Sequence, residues 1–424
     1  MNEELFQLIW AHGLFDMDQL YTTSGLPISI INRGMQNHDA GPDFLNARIM
    51  IDGTLWFGQV ELHTDARHWQ AHKHHLDKTY NSCILHVVLE DGPECFREDG
   101  SVLPCLVIKD LIRSGISEQY EFLKFSSAKI PCQHALPYTN YITVRQAMDQ
   151  ALVMRLEKKS EWVYEWLSIS NGNWHTVFLA ALARSFGFGT NGQAFELLAL
   201  NLPMTEICKS ENNLHKITAI LLGVAGFLDE APKDVMHAKL QQEWHFQKHK
   251  LNLSSLDKSI FKFMRMRPGN FPSIRLAQLA GLLQNFQELM NGLMGALAIP
   301  TMLKLMDTTL PEYWQTHYQL GKEGKHHQSR LSLSARYTIL INALVPFLFV
   351  YGRYTGDENY CVRALDLLQK LPPEDNRIVR DWQDLGIEAS SAFDTQALIE
   401  MKKNCCDKRA CTTCPIGISL LTKK

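Results

Sequence analysis

The chain has 424 residues, of which 46% are apolar and 21% are charged, and its formal net charge is −3. This composition is typical of a folded globular protein and is too apolar for an intrinsically disordered chain. The charge balance excludes a protein that is basic overall, so a nucleic-acid partner would have to be held by a local basic patch.

Neither a secretion signal nor a membrane partner is expected. The first residues, MNEELFQLIW, are acidic and lack the basic region and apolar run of a signal peptide. The apolar run over residues 343–351 is much shorter than the ~18 residues of a membrane-spanning segment and is typical of a buried helix. We therefore predict a cytoplasmic protein whose ten cysteines are reduced thiols or metal ligands.

A β-hairpin over residues 43–63 is the strongest local prediction. An amphipathic helix over residues 3–12 and a β-branched strand over residues 26–36 are predicted before it. Apolar and polar residues then alternate through FLNARIMI and again through TLWFGQVELH, with Asp52-Gly53 between the two runs. Alternating runs joined by Asp-Gly predict two antiparallel strands and a tight turn.

Two carboxylates frame this hairpin. Asp43 lies at the start of the first strand and Glu61 near the end of the second, so antiparallel pairing should make them neighbours. His63 follows Glu61 by two residues and should project from the same face of the strand. Such a group can bind a hard divalent cation and activate water.

Histidines are concentrated beside the hairpin, since six of the seventeen in the chain fall between His63 and His86. The run from Asp65 to Tyr80 has the period of a helix, and Asp65 suits its N-cap. One stripe of this helix would carry His68, His72 and His75. Imidazoles at i and i+4 could share a transition metal, and the alternative is a solvated polar face.

The remaining pattern predicts an α+β protein. A buried strand is expected over residues 82–92 and another over residues 102–111, which completes an N-terminal sheet domain. Beyond it nearly every segment has a helical pattern, as a helical bundle requires. The predicted domains are an α/β domain (1–115), a linker (116–140), an all-α domain (141–400) and a cysteine-rich tail (401–424).

Two segments of the helical region are basic. MRMRPGNFPSIRLA is predicted to be an ordered loop that leads into a helix from Pro272, and GKEGKHHQSRL to be an exposed loop. Their cations are candidates for phosphate contacts, although arginines beside proline and glycine also fix loops by bonding carbonyls. The candidates for nucleic-acid binding are Arg265, Arg267, Arg275, Lys322, Lys325 and Arg330.

The tail carries a metal-type cysteine pattern, Cys406-x4-Cys411-x2-Cys414, with Cys405 adjacent. Thiolates at this spacing can enclose Zn²⁺ or an iron–sulfur cluster. The alternative is a reduced cysteine-rich tail. Spacing leaves the fourth ligand open among Cys405, Cys361, Cys132 and a histidine.

Residues 1–110 resemble the PD-(D/E)XK nuclease superfamily. Pro42-Asp43 matches the first half of its motif and Glu61-Leu62-His63 the second half, with His63 where the family has lysine. The resemblance implies a mixed sheet flanked by helices, with Mg²⁺ or Mn²⁺ bound by Asp43, Glu61 and the Leu62 carbonyl. It implies that His63 assists the attacking water in place of the lysine.

The resemblance also implies helper residues. An acidic residue of the first helix, Glu4 or equally Glu3, would join the site, and His72, His75 and Tyr80 would contact water or substrate. Some members of the superfamily use cysteines to build a [4Fe–4S] cluster that clasps the nuclease domain. Taken whole, the chain also resembles an uncharacterised bacterial family of unknown function.

The leading hypothesis is a metal-dependent nuclease that cleaves DNA or RNA. One alternative is an inactive nuclease-like scaffold or nucleic-acid-binding protein, and another is a histidine-rich metal hydrolase of a different substrate. Two carboxylates much more than ~5 Å apart could not share one Mg²⁺. The placement of Asp43 against Glu61 is therefore the most informative observation.

Overall fold

The computed structural model describes residues 1–209 and 213–423. Two compact units are present. The first contains Met1–Asp149, Asp384–Gly386 and Ile399–Lys424, and the second contains Gln150–Gln383 and Ile387–Leu398. The protein is a mixed α+β protein, with an N-terminal sheet domain followed by a helical domain. The first unit also contains the residues that the sequence predicts as a linker and as a tail.

Strands are concentrated in the first unit, and helices make up most of the second. The strands are β1 (Leu20–Tyr21), β2 (Pro27–Asn32), β3 (Met35–Gln36), β4 (Phe44–Ile51), β5 (Thr54–Asp65), β6 (Cys83–Glu90), β7 (Cys95–Phe96), β8 (Val102–Leu103), β9 (Cys105–Val107), β10 (His317–Gln319) and β11 (Lys322–Glu323). The helices of the first part are α1 (Glu3–His12), α2 (His68–Ala71), α3 (Ile116–Lys124) and α4 (Tyr141–Ile169). Those that follow are α5 (Trp174–Phe186), α6 (Gly192–Leu200), α7 (Met204–Lys209), α8 (Leu214–Val224), α9 (Val235–Leu251), α10 (Pro272–Leu283), α11 (Phe286–Met294), α12 (Ile299–Leu305), α13 (Leu333–Ile339), α14 (Val345–Thr355), α15 (Glu358–Lys370), α16 (Arg377–Gln383), α17 (Ala392–Glu400) and α18 (Pro415–Thr422).

In the described part of the first unit, the main sheet has the order β1-β2-β4-β5-β6-β9, with β3 beside β4. Strands β2, β4 and β5 are antiparallel, whereas β6 runs parallel to β5 and β9 parallel to β6. The predicted hairpin is confirmed as β4 and β5. Asp52 and Gly53 both have positive φ angles, 49° and 71°, as the tight turn between twisted strands requires.

A β-bulge in β4 sets the position of the acidic residues. The pairing shifts by one residue between Phe44, which faces Val60, and Ala47, which faces Gly58. Asn46, with a φ of 60°, occupies the bulge. Asp43, the residue before Phe44, consequently lies beside the next residue of β5 after Val60, which is Glu61.

The core of this unit forms where α1 covers the sheet. Asn2 caps the helix by accepting the Leu5 N–H, and the apolar face of α1 is buried. Trp10 stacks on Phe15 with ring centroids 5.6 Å apart and meets Phe44 edge-on. Burial of such aromatic side chains, at roughly 25 cal/mol per Å², fixes α1 against the strands that carry the acids.

The predicted helix over residues 65–80 is wrong. Only His68–Ala71 is α-helical, and Lys73, with a φ of 63°, ends the helical path. Two short 3₁₀ turns, His74–Leu76 and Lys78–Ser82, follow it. The polar run offers little apolar surface to hold a longer helix, since Leu76 is 67% exposed.

The predicted strands after this segment differ in outcome. The strand predicted over residues 82–92 is confirmed as β6, buried on both faces between two parallel neighbours. The strand predicted over residues 102–111 is interrupted at Pro104, which separates β8 from β9, because proline cannot donate to a ladder.

The helical unit follows its predicted punctuation. Helix α4 ends just before residues 171–173, and α10 begins at Pro272. In the segment predicted as an exposed loop, Lys322–Glu323 forms strand β11 against β10. Residues 333–355 form a helical run that is apolar and long enough to cross a membrane, but 67% of its most apolar window is buried in the protein, as in the core helix of a soluble protein.

Candidate metal centre

The end of the β4–β5 pair brings Asp43 and Glu61 together. The Asp43 N–H donates to Glu61 Oε2 at 3.1 Å, and the Leu62 N–H donates to Asp43 Oδ2 at 3.0 Å. Gln7 of α1 donates to Asp43 Oδ1 at 2.8 Å. Neutral donors thus hold Asp43 and Glu61 next to each other.

Burial makes this pair costly to ionise without a cation. It raises the pKa of Asp43 to about 6, and the charge of Glu3 acts in the same direction. Burial also raises the pKa of Glu61 to about 8, with a further contribution from the neighbouring Asp43. Buried, mutually repelling carboxylates of this kind are characteristic of functional sites, and a bound cation would relieve the repulsion.

A chain of imidazoles runs into the sheet from this pair. His63 Nδ1 lies 2.9 Å from His86 Nε2, and His63 Nε2 lies 3.1 Å from His72 Nδ1. Glu61 Oε1 faces two of these rings, at 3.6 Å from His63 Nε2 and 3.4 Å from His74 Nε2. The parallel register explains the first contact. Glu61 of β5 pairs with His86 of β6, and His63 lies two residues further along β5 on the same face.

Three histidines form a metal-type group. Ligand atoms of His63, His72 and His74 all lie within 4.8 Å of one another. Burial, reinforced by the neighbouring imidazoles, lowers the pKa of His63 to about 2 and that of His74 to about 4. These two rings are therefore neutral near pH 7, which is the form that binds metals.

His74 is the residue that the sequence pattern missed. A continuous helix would have placed His68, His72 and His75 on one stripe, but the left-handed Lys73 rotates the chain and turns His74 inward instead. His75 is half-buried, and its Nδ1 makes no hydrogen bond among the described residues. The periodicity of the sequence does not indicate that His74, and not His75, joins the histidine group.

Tyr80, a predicted helper, and His68, a member of the predicted histidine stripe, pack against the other rings. Tyr80 is buried and stacks on His74 with ring centroids 3.8 Å apart, and burial raises its pKa. His68 stacks on His72 at 5.6 Å and meets His63 edge-on at 5.9 Å. These rings orient the group without adding a hydrogen bond to the carboxylates.

Glu4 lies in a different network from the carboxylate pair. It accepts hydrogen bonds from Lys124 at 2.9 Å, from Tyr120 at 3.2 Å and from Thr412. These bonds join α1 to α3 and to the cysteine segment. Of the two acids at the start of α1, Glu3 is the one whose negative charge raises the pKa of Asp43 and of Glu61.

The cysteine segment folds back into the first unit and meets Cys132. Burial raises the pKa of Cys132, and the neighbouring thiols of Cys414 and Cys411 raise it further. Burial likewise raises the pKa of Cys406, and Cys132 adds to that increase. Cys361 belongs to the second unit, where its thiol donates to the Phe349 carbonyl. Spatial proximity therefore favours Cys132 over Cys361 as a companion of the three predicted ligands.

Cys414 has the environment of a thiolate. A hydrogen bond from the Cys405 thiol lowers the pKa of Cys414, and backbone N–H groups at the start of α18 add to this effect. A Cβ atom at Gly417 would collide with the Cys411 carbonyl, so glycine allows α18 to start against this loop. Such N–H donors to sulfur are typical of metal-bound cysteines.

The basic candidates fall into two classes. Arg275 is corrected from a phosphate contact to a buried residue: it donates to Asn270 and Gln278, and its guanidinium lies over the Phe188 ring. Burial lowers its pKa to about 10. The other five side chains are exposed, and they are Arg265, Arg267, Lys322, Lys325 and Arg330.

Comparison with known proteins gives a family but no activity. The model of a family described as "Protein of unknown function (DUF2851)" matches residues 3–377. No curated protein and no solved structure matches the chain.

Proposed function

The chain belongs to the DUF2851 family, whose function is unknown, and we propose that its first unit is a divalent-metal-dependent nuclease that hydrolyses phosphodiester bonds of DNA or RNA. The observation that carries the proposal is the reciprocal hydrogen bonding that holds Asp43 and Glu61 side by side. The sheet supports it, because two antiparallel strands bear the acids and a parallel strand follows, in line with the PD-(D/E)XK resemblance.

The donor set suits Mg²⁺ or Mn²⁺. Such ions take one or two carboxylates and complete their shell with water and substrate phosphate. Asp43 and Glu61 would hold the ion, together with the Leu62 carbonyl, since the N–H and C=O groups of one strand residue face the same neighbour and the Leu62 N–H already faces Asp43. The bound ion would lower the pKa of a coordinated water and screen the phosphodiester charge.

His63 stands where the related nucleases have lysine, and it assists the attacking water. Its ring is neutral, so it offers an electron pair and not a fixed positive charge. Nδ1 is engaged with His86, which leaves Nε2 on the side of Glu61 and His72. Substrate phosphates would be held elsewhere by exposed cations, for which Arg265, Arg267, Lys322, Lys325 and Arg330 are the candidates.

The cysteine segment (residues 401–424) would hold an iron–sulfur cluster or Zn²⁺ through Cys132, Cys406, Cys411 and Cys414, and the Cys405 thiol would donate a hydrogen bond to Cys414. Two observations support this ligand set. The thiols are close enough to shift one another's pKa, and backbone N–H groups donate to Cys414. Arg409 supports the same closure, because it donates to the Ser126 and Ala128 carbonyls ahead of Cys132. The metal would then tie the C-terminal cysteines to Cys132 within the first unit.

The test is nuclease activity of the full chain on supercoiled plasmid, single-stranded DNA and RNA, with Mg²⁺ or Mn²⁺. Wild type should cleave at least one substrate, and Asp43→Asn and Glu61→Gln should each lose at least ~100-fold in rate, which is on the scale of removing one electrostatic interaction with the transition state. Glu90→Gln is a matched control, because Glu90 is an exposed carboxylate at the end of β6 that pairs with Lys109. It should retain wild-type activity.

Two outcomes would overturn the proposal. If wild type and both variants are equally inert while nucleic acid still binds, the unit is a nuclease-like scaffold. If residual activity is the same in all preparations, it comes from a contaminant and the carboxylates do no chemistry.

A further inference from the structure

A second set of ligands lies on the opposite side of Glu61 from Asp43. We propose that His63, His72 and His74, together with Glu61, bind a divalent transition metal of the Zn²⁺ class in a tetrahedral site. This site stands whether or not the unit cleaves nucleic acid, and only its role in the attack of water rests on the proposed function.

Three of the six distances between the proposed ligand atoms match those of a tetrahedral zinc site. With Zn–N and Zn–O bonds of ~2.0–2.1 Å, the ligand atoms of a tetrahedron lie about 3.4 Å apart. The His63 Nε2 to His72 Nδ1 distance is 3.1 Å, and Glu61 Oε1 lies 3.6 Å from His63 Nε2 and 3.4 Å from His74 Nε2. Three edges of the tetrahedron are thus already close to the required length.

His86 and Cys95 hold His63 in the tautomer that leaves Nε2 available for a metal. The Cys95 thiol has carbonyl acceptors at Ala66 and Pro93, so its sulfur can accept a hydrogen bond from His86 Nδ1, 3.6 Å away. His86 Nε2 is then an acceptor for His63 Nδ1–H at 2.9 Å. His63 Nε2 is left with its lone pair free for a metal, in the arrangement by which metal-binding histidines are usually fixed.

The remaining rings are also fixed by packing. His74 stacks on Tyr80, with ring centroids 3.8 Å apart, and meets Trp69 edge-on at 5.3 Å. His72 stacks on His68. The side chain of His74 is only 12% exposed, whereas His72 lies at the surface. The site is therefore preformed on its inner side and open at His72, where a metal can enter.

The two metal positions differ in chemistry. Glu61 Oε2 accepts the Asp43 N–H, whereas Glu61 Oε1 faces the imidazoles, so one carboxylate borders both. Neutral imidazole suits Zn²⁺ and similar ions, and carboxylate and carbonyl oxygens suit Mg²⁺ and Mn²⁺. In the nuclease proposed above, His63 would then assist the attacking water by holding a metal and not as a free base.

Co²⁺ is the spectroscopic probe for this site. The full chain is stripped with a chelator and titrated with Co²⁺, whose tetrahedral complexes absorb strongly in the visible range and whose thiolate complexes add a separate charge-transfer band. We expect one equivalent of Co²⁺ to give a tetrahedral spectrum that is free of the thiolate band and is displaced by Zn²⁺, and any Co²⁺ taken up by the proposed cysteine site is recognised separately by its thiolate band. His72→Ala and His74→Ala should each weaken binding at least ~10-fold, because loss even of the outer hydrogen-bond partners of metal ligands costs about 10–100-fold in affinity.

Two matched variants separate this site from its neighbours. His75→Ala removes the adjacent imidazole, and Asp43→Asn removes the carboxylate of the nuclease proposal, and both should keep the spectrum. If Asp43→Asn abolishes it while the histidine variants retain it, the metal belongs to the carboxylate pair and the inference is wrong. Loss of nuclease activity with an intact cobalt site would instead count only against the proposed function.

A measurement on wild type covers the case in which the alanine variants do not fold. Zn²⁺ should protect His72 from acylation by diethyl pyrocarbonate at least several-fold, as followed by peptide mass spectrometry, and should leave His38, which is outside this group, unprotected. Equal modification of His72 with and without Zn²⁺ would overturn the inference.

Discussion

The backbone amide of Asp43 donates to the side chain of Glu61 at 3.1 Å, so the two acids are coupled through a bond as well as through their charges. Neither carboxylate has a lysine or arginine partner among the ion pairs of the described residues. When no cation is bound, ionisation of the buried pair therefore lowers the stability of the folded protein.

We predict that Glu61→Gln stabilises the chelated protein at alkaline pH. The pKa of Glu61 is raised from 4.5 to about 8, so the folded state binds the proton that the unfolded state has lost, and stability falls as pH rises from about 4.5 to about 8. Urea unfolding with chelator at pH 8 should show a gain on the order of 2–4 kcal/mol for the variant, and the gap should narrow towards pH 5. A variant that is less stable than wild type at both pH values would contradict this prediction.

Cys132→Ser should release the metal of the cysteine segment. Wild-type protein purified without oxygen should contain iron or zinc. The variant lacks one of the proposed ligands and should retain less than about half of that metal. Structural metals of this kind contribute many kcal/mol to folding. Cys361→Ser is the control, since that thiol bonds to a carbonyl of the second unit. Absence of both metals from wild type, or equal content in both variants, would rule out the cysteine site.

Glu4→Gln should lower stability and leave catalysis unchanged. Its hydrogen bonds to Lys124, Tyr120 and Thr412 hold α1 against α3 and the cysteine segment, and weakening them should cost about 1–2 kcal/mol. The rate per folded molecule, measured below the unfolding transition, should match that of wild type. A large fall in this rate would contradict the prediction and indicate that Glu4 takes part in catalysis.

Glu3→Gln is the matched test of the first-helix acid. Its negative charge raises the pKa of both Asp43 and Glu61, so its removal should shift the acidic limb of the pH–rate profile to lower pH. A profile that coincides with that of wild type would show that this charge is screened by solvent.

Charge reversal in the basic loop tests for binding of nucleic acid. Lys322→Glu and Lys325→Glu should each weaken binding and reduce the slope of log affinity against log salt by about 1 for each phosphate that the side chain neutralises. Lys370→Glu makes the same charge change at an exposed residue paired with Asp366 and should leave the slope unchanged. Equal slopes in all three variants would exclude this loop from the interface.

The hairpin was predictable because its signals are local. Alternation and the Asp52-Gly53 turn fix the strands, and antiparallel pairing then brings Asp43 towards Glu61. The bulge at Asn46, which sets the final register, has no comparable signal in the sequence.

The histidine group was only partly predictable, because it depends on one backbone torsion. A regular helix selects His72 and His75, whereas the left-handed Lys73 selects His72 and His74. The contact between His63 and His86 depends on strand order, which no local pattern states. Cys132 is similar, since its approach to Cys411 and Cys414 joins distant parts of the chain.

The first unit contains residues 399–423 as well as residues 1–149, and this has a consequence for the newly made chain. The sheet with its two acids leaves the ribosome early, but Arg409 and Thr412 follow only after residues 150–398. At ~5–20 residues per second, the interval is roughly 12–50 s. Translation thus delays completion of this unit, and a nascent chain should carry the carboxylates well before it acquires the segment that bonds to Glu4 of α1 and to the carbonyls of Ser126 and Ala128.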